Sequence, residues 1–199
     1  MAELLAPAGS LAHVWAAIDA GADAVYLGGK AFNARKFAHN LSDEELAKAV
    51  RTAHAFGVKI YVTVNIIMAD RELKELAPYL RRLDAMQVDG IIVQDMAVAV
   101  LARQVAPNLP LHGSTQMAVA DLAGVQLLES LGFTQAVLAR EVPLDEIRAI
   151  CAHTSMAIEV FIHGASCMSY SGQCLMSSFI GGRSGNRGAC AQPCRLPYG

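Results

Sequence analysis

At 199 residues, 54% hydrophobic and 17% charged, the chain has the composition of a globular domain with a large core, which excludes a disordered tail or linker. A formal net charge of −2 removes any global case for nucleic-acid or membrane attraction, so such a contact has to come from a local concentration of charge. No apolar run approaches the roughly 20 residues of a membrane span, and acidic Glu3 stands where a signal peptide carries a cation, so the reading is a cytoplasmic protein without a membrane span.

Short apolar runs alternate with longer amphipathic stretches along most of the sequence. The runs at 3–6, 24–27, 58–64, 90–93, 111–113, 136–138 and 157–162 read as strands. Each is near-continuously apolar, as a parallel sheet covered on both faces requires. Between them, 11–20, 43–56, 71–86, 97–104, 122–131 and 144–152 read as helices. Ser42 with Glu45 predicts a capping box, Asp70 an N-cap, and Pro143 the start of a first helical turn. Gly21, Gly57 and Gly132 fall just past helix ends, where a left-handed backbone is needed. Cys151 closes an apolar helical segment and reads as a small buried hydrophobe.

Seven such beats predict the α/β class, a TIM-type (β/α) barrel occupying residues 1–163. An eighth beat is missing. Residues 164–199 are a Gly-, Cys- and Arg-rich loop segment of the same domain, so the expectation is a barrel incomplete at the C-terminus and continued in a longer protein.

In a parallel barrel the chemistry sits at the C-terminal strand ends. The residues there are Pro7, Gly9, Ser10, Gly28, Gly29, Asn65, Gln94, Asp95, Ser114, Thr115, Gln116, Arg140, Glu141, His163 and Gly164. They form either a polar ring around a site or the ordinary polar boundary between strands and helix caps. Arg140 and Glu141 suit an anionic substrate and a proton respectively, or else a helix-entry salt bridge. Glu159 falls inside an apolar run, on the side of Phe161 and His163 by alternation, and needs a partner, for which Arg140 is the candidate. Gly28-Gly29-Lys30 suits a phosphate or a tight turn. Asn33, Arg35, Lys36, His39 and Asn40 fill a long polar connection that either grips an anionic substrate or is a solvated loop.

From Gly164 onward there is no Asp, Glu or Lys, while Arg183, Arg187 and Arg195 are present beside Cys167, Cys174, Cys190 and Cys194. Cations favour the thiolate, the form that binds metal or attacks carbon. Only Cys190 and Cys194 have a spacing usual for zinc. A cubane iron–sulfur cluster takes four thiolates across wide loops and gains from nearby arginines. A nucleophile, Cys167 with His163, and a group of reduced structural cysteines are the remaining readings.

The segment from Glu159 through His163, Cys167, Gly172, Cys174 and Ser177 resembles the signature of the U-thirty-two peptidase family, also called collagenase-like proteases. The resemblance extends through Gly188-Ala-Cys190-Ala-Gln-Pro-Cys194-Arg195, Gln116-Met117, Leu138-Ala-Arg140-Glu141 and the opening Leu4-Leu5-Ala6-Pro7-Ala8-Gly9. The resemblance implies one of two activities. One is proteolysis by Cys167 and His163 or by a metal. The other is the chemistry of family branches whose iron–sulfur proteins hydroxylate tRNA wobble uridine, an rRNA cytidine or a ubiquinone precursor without molecular oxygen. The expectation is an iron–sulfur-dependent RNA base hydroxylation enzyme acting on tRNA, with a peptidase and a non-catalytic zinc-stabilised module as alternatives.

The same resemblance implies a 4Fe-4S cluster on Cys167, Cys174 and Cys190, the fourth ligand being Cys194 or a cysteine beyond residue 199. In the second case this chain would hold the cofactor poorly or not at all. Zinc on these cysteines is the alternative that the spacing leaves open. Glu159 and His163 match the polar core of the motif, with Arg140 and Glu141 beside them in catalysis. Arg35, Asn65, Gln116, Arg183 and Arg187 are the candidate substrate contacts. Expected partners are tRNA or rRNA, a small-molecule hydroxyl donor, and a protein partner or second copy.

Overall fold

The computed structural model describes residues 2–34, 39–164 and 167–198. The chain forms two compact units, Met1–Pro110 and Leu111–Gly199.

The first unit runs β1 (Leu5–Pro7), α1 (Leu11–Asp19), β2 (Ala24–Gly28), α2 (Asp43–Ala55), β3 (Lys59–Val64), α3 (Asp70–Ala85), β4 (Gly90–Val93) and α4 (Met96–Val105). The strands pair in parallel in chain order, with Leu5 opposite Ala24, Tyr26 opposite Tyr61, and Val64 opposite Val93. Ala24, Tyr61 and Ile92 form a buried cluster on one face with Leu5 and Tyr26 against it. Leu27, Ile60 and Ile91, on the alternate positions, are fully buried as well. Burial on both faces explains why these runs lack polar alternation.

Caps set the helix starts. Ser10 accepts from His13 N–H, and Ser42 with Glu45 forms the predicted capping box. The expected N-cap role of Asp70 is corrected. Ala69 is the cap residue, because the Glu72 carboxylate folds back to its N–H at 2.7 Å and draws Asp70 into the first turn. Asp95 caps α4 through Ala97 N–H at 2.8 Å and also accepts Met68 N–H at 2.7 Å, tying the loop after β3 to the helix after β4. Gly21 and Gly57 take the predicted left-handed backbone at φ +83° and +72°.

The second unit runs β5 (Leu111–Gly113), α5 (Leu122–Ser130), β6 (Gln135–Val137), α6 (Leu144–Ala152), β7 (Ala157–Glu159) and a short α7 (Met176–Gly181). Its strands also pair in parallel in chain order. Two expectations are corrected here. The seventh strand stops at Glu159, where pairing with Val137 ends, and Phe161 and Ile162 beyond it are 48% and 84% exposed. Strand alternation therefore does not place Glu159 on one side with Phe161 and His163. Cys151 is exposed, because Ile150 supplies the buried face of α6 and the next residue turns about 100° away from it.

Helix α7 escapes the sequence reading because its six residues sit in a Gly- and Ser-rich stretch. Tertiary contacts hold it: buried Ser177 accepts Ala191 N–H at 2.9 Å, and Gly182 ends the helix at φ +64°.

Parallel strands alternating with helices seven times make this a TIM-type (β/α) fold. Among the described residues there is no eighth strand, and no helix is long and apolar enough to cross a membrane.

Candidate functional site

The predicted residues of the second unit gather around the cysteine segment. Arg140 and Glu141 lie in the turn after β6, and both face the run between Cys167 and Cys174. Arg140 donates from its backbone N–H (3.2 Å) and Nε (3.1 Å) to Ser171 Oγ, and from Nη2 to the Ser169 carbonyl (3.1 Å). Glu141 Oε1 accepts Ser171 N–H at 3.0 Å and lies 3.8 Å from Arg140 Nη2. The pair is thus a clasp on the loop. Ser171 is only 1% exposed, so both its polar groups depend on these partners.

That clasp positions Cys167. The Ser169 N–H hydrogen bond holds its thiol below the usual range, partial burial opposes, and a hydrogen bond and the charge of Arg140, then the charge of Arg195, lower it further. The thiolate is therefore stabilised by the residues that fix the loop. His163 is exposed and is not among the groups acting on Cys167, so the expected Cys167–His163 pairing is not formed here.

Cys174 and Cys190 are brought near each other at Gly185, where an added Cβ would lie 3.7 Å from Cys190 Cβ and 3.8 Å from the Cys174 carbonyl. Cys190 Sγ accepts Gln192 N–H at 3.3 Å. Cys194 sits in a single 3-10 turn, Pro193–Arg195, whose arginine is the one that acts on Cys167. Among the described residues no three His, Cys, Asp or Glu side chains stand close enough to hold one metal ion. The donors are sulfurs in a positive field, spread over a loop. Thiolate donors beside arginines are the chemical donor set that an iron–sulfur cluster takes.

Glu159 ends β7 and accepts from Gln135 Nε2 at 2.6 Å. This corrects the expected pairing with Arg140, whose guanidinium is turned instead to Ser169, Ser171 and Glu141. Gln116 lies beneath Gly172, and its buried Oε1 has no hydrogen-bond partner among the described residues. Arg183 Nε donates to the Ala189 carbonyl at 2.9 Å, and Arg187 lies in the turn Gly185–Arg187.

Asn65 belongs to the first unit, after β3, where its Oδ1 accepts Ala34 N–H at 3.0 Å. Arg35 lies outside the described residues, as does Lys36. Ser171 and Ser169 were missed as functional residues by sequence reasoning. The available signal was the Ser-Tyr-Ser-Gly run between two cysteines, too short and polar to be told from an ordinary loop.

The sequence model of Peptidase family U32 matches residues 9–199. The chain is 48% identical over 196 residues to the "23S rRNA 5-hydroxycytidine C2501 synthase" of Escherichia coli, covering 98% of this chain and 29% of that protein. It is 43% identical to "tRNA hydroxylation protein P1" of Bacillus subtilis, again over 98% of this chain and 46% of that protein. It thus spans less than half the length of either relative. In structure it resembles the U32 peptidase Mk0906 with a TM-score of 0.68 at 16% identity, over 80% of this chain and 68% of that one, a likeness of fold. A family match running through every cysteine of the candidate site, on a fold shared with a solved family member, establishes that the chain belongs to peptidase family U32.

Proposed function

We propose that this chain is part of an iron–sulfur enzyme that hydroxylates a pyrimidine base of tRNA or rRNA. The carrying observation is the 48% identity over 98% of the chain to a protein named as an rRNA 5-hydroxycytidine synthase. The cysteine segment supports it, since Ser169 N–H, Arg140 and Arg195 lower the ionisation of the Cys167 thiol and so favour its thiolate. Cys167, Cys174, Cys190 and Cys194 would hold a 4Fe-4S cluster, which would supply electron transfer or activation of a bound substrate.

The protein residues have separable tasks. Arg140 and Glu141 keep the Cys167 loop in place through Ser171. Arg183 and Arg187 lie in the same acid-free segment and would attract RNA phosphates. Converting C–H to C–OH is a two-electron oxidation of the base. A small-molecule oxygen donor has to surrender its oxygen and accept those electrons.

The test is nucleoside mass spectrometry of tRNA and rRNA from a strain lacking the protein, paired with anaerobic iron and sulfide reconstitution of the protein. Loss of one hydroxylated pyrimidine and a broad visible absorption band are expected. Unchanged nucleosides would overturn the RNA reading, and a colourless reconstituted full-length protein would overturn the cluster. The lowered Cys167 thiol also favours a second reading, hydrolysis by a cysteine nucleophile. Gelatin hydrolysis that disappears in Cys167→Ala would support it.

A further inference from the structure

At the end of the sheet in the first unit, two side-chain amides have hydrogen-bonding capacity that no described residue uses. Val64 and Val93 are the last register pair of β3 and β4, so Asn65 and Gln94 are the next opposed residues, just past the C-terminal ends of both strands. Asn65 has its Oδ1 occupied by Ala34 N–H, which fixes the amide and leaves Nδ2 as a donor without a partner among the described residues. Gln94 has the complementary lack: its Oε1 is buried and accepts no hydrogen bond among the described residues.

A buried acceptor without a donor is costly, and natural structures keep few of them unless a ligand or water supplies the missing group. Gln94 lies between β4 and Asp95, whose carboxylate is committed to Met68 N–H and Ala97 N–H. Neither amide carries charge, so the pair suits a neutral planar edge and not a phosphate. One donor beside one acceptor complements an acceptor beside a donor. Uracil offers this in its ring N–H and adjacent carbonyl, and cytosine in its amino group and ring nitrogen.

We propose that Asn65 and Gln94 form a subsite for the edge of a pyrimidine base, Gln94 Oε1 accepting from the base and Asn65 Nδ2 donating to it. This deepens the RNA reading above and rests on it.

The test uses the full chain and two variants. Gln94→Met removes the acceptor at similar volume, and Asn65→Asp keeps an oxygen for Ala34 N–H while removing the donor. Short oligouridine and oligocytidine strands are titrated against an abasic strand of equal length by fluorescence anisotropy. The unsubstituted protein is expected to bind a base-bearing strand about tenfold more tightly than the abasic one, a margin typical of a buried pair of hydrogen bonds. In each variant that ratio falls to near one.

A ratio that survives in either folded variant, or is absent in the unsubstituted protein, overturns the subsite while RNA binding itself stands. Failure of every strand to bind overturns the RNA reading and the subsite together. Circular dichroism identifies folded variants, and either folded variant decides.

Discussion

Gly172 lies against the backbone carbonyl of Gln116, so close that an added Cβ would overlap the carbonyl oxygen, and its φ of +72° is left-handed. This packs the turn between Cys167 and Cys174 onto the chain after β5. Gly172→Ala should therefore meet both a steric and a conformational penalty, because backbone atoms cannot swing aside as a side chain does. A loss of about 2–4 kcal/mol in urea unfolding is expected. A change under about 0.5 kcal/mol would show that the turn is free to move.

Ser171 is the next test of the same turn. Its hydroxyl accepts from Arg140 twice and its N–H donates to Glu141, all in a buried setting. Ser171→Ala leaves the Arg140 donors without their acceptor, and about 1–3 kcal/mol should be lost. Ser171→Thr, which keeps the oxygen, should recover part of it in the same unfolding measurement.

The Cys167 thiol titrates below the ordinary range, with Ser169 N–H the largest cause and Arg140 contributing next. The sign follows from linkage. A depressed folded pKa contributes stability that is complete above the pKa of the unfolded thiol and is lost as pH falls through the folded value. In metal-free protein, alkylation of Cys167 by iodoacetamide, followed by peptide mass spectrometry, should reach half-maximal rate below the pH of about 8.5 usual for a free thiol. Arg140→Gln should move that midpoint upward. An unmoved midpoint would remove Arg140 from the account.

Tyr79 gives a prediction of opposite sign. It is 3% exposed, its hydroxyl has no hydrogen-bond partner among the described residues, and an added Cβ on Gly29 would overlap that hydroxyl. Burial pushes its ionisation well above the usual range, so the hydroxyl stays neutral. Tyr79→Phe removes an unsatisfied group and should be neutral or stabilising by roughly 1 kcal/mol. Gly29→Ala should be markedly destabilising alone and better tolerated together with Tyr79→Phe. Additive thermal shifts in this double-mutant cycle would contradict the packing relation.

The repeat was readable because its physics is local. Apolar runs, the Ser42–Glu45 capping box and the glycines at 21, 57 and 132 each announce an element within a few residues. What stayed hidden depended on partners far along the chain. Glu159 bonds Gln135 on the neighbouring strand, α7 is anchored by Ser177 to Ala191, and Arg140 reaches across to Ser169 and Ser171. No periodicity encodes those contacts. The cysteines were legible as a set because acidic residues are missing around them. The clasp that orients Cys167 was not, since nothing in Ser-Tyr-Ser-Gly marks which serine is buried.

Asp95 makes two connections answer to one carboxylate, with Met68 on one oxygen and Ala97 on the other. Neighbouring loops in a (β/α) repeat ordinarily diversify separately, each on its own stem. Here they share a peg. An insertion or exchange in either loop that displaced this carboxylate would disturb the other as well, so this stretch of the rim is expected to be inherited as a single block, carrying Asn65 and Gln94 with it.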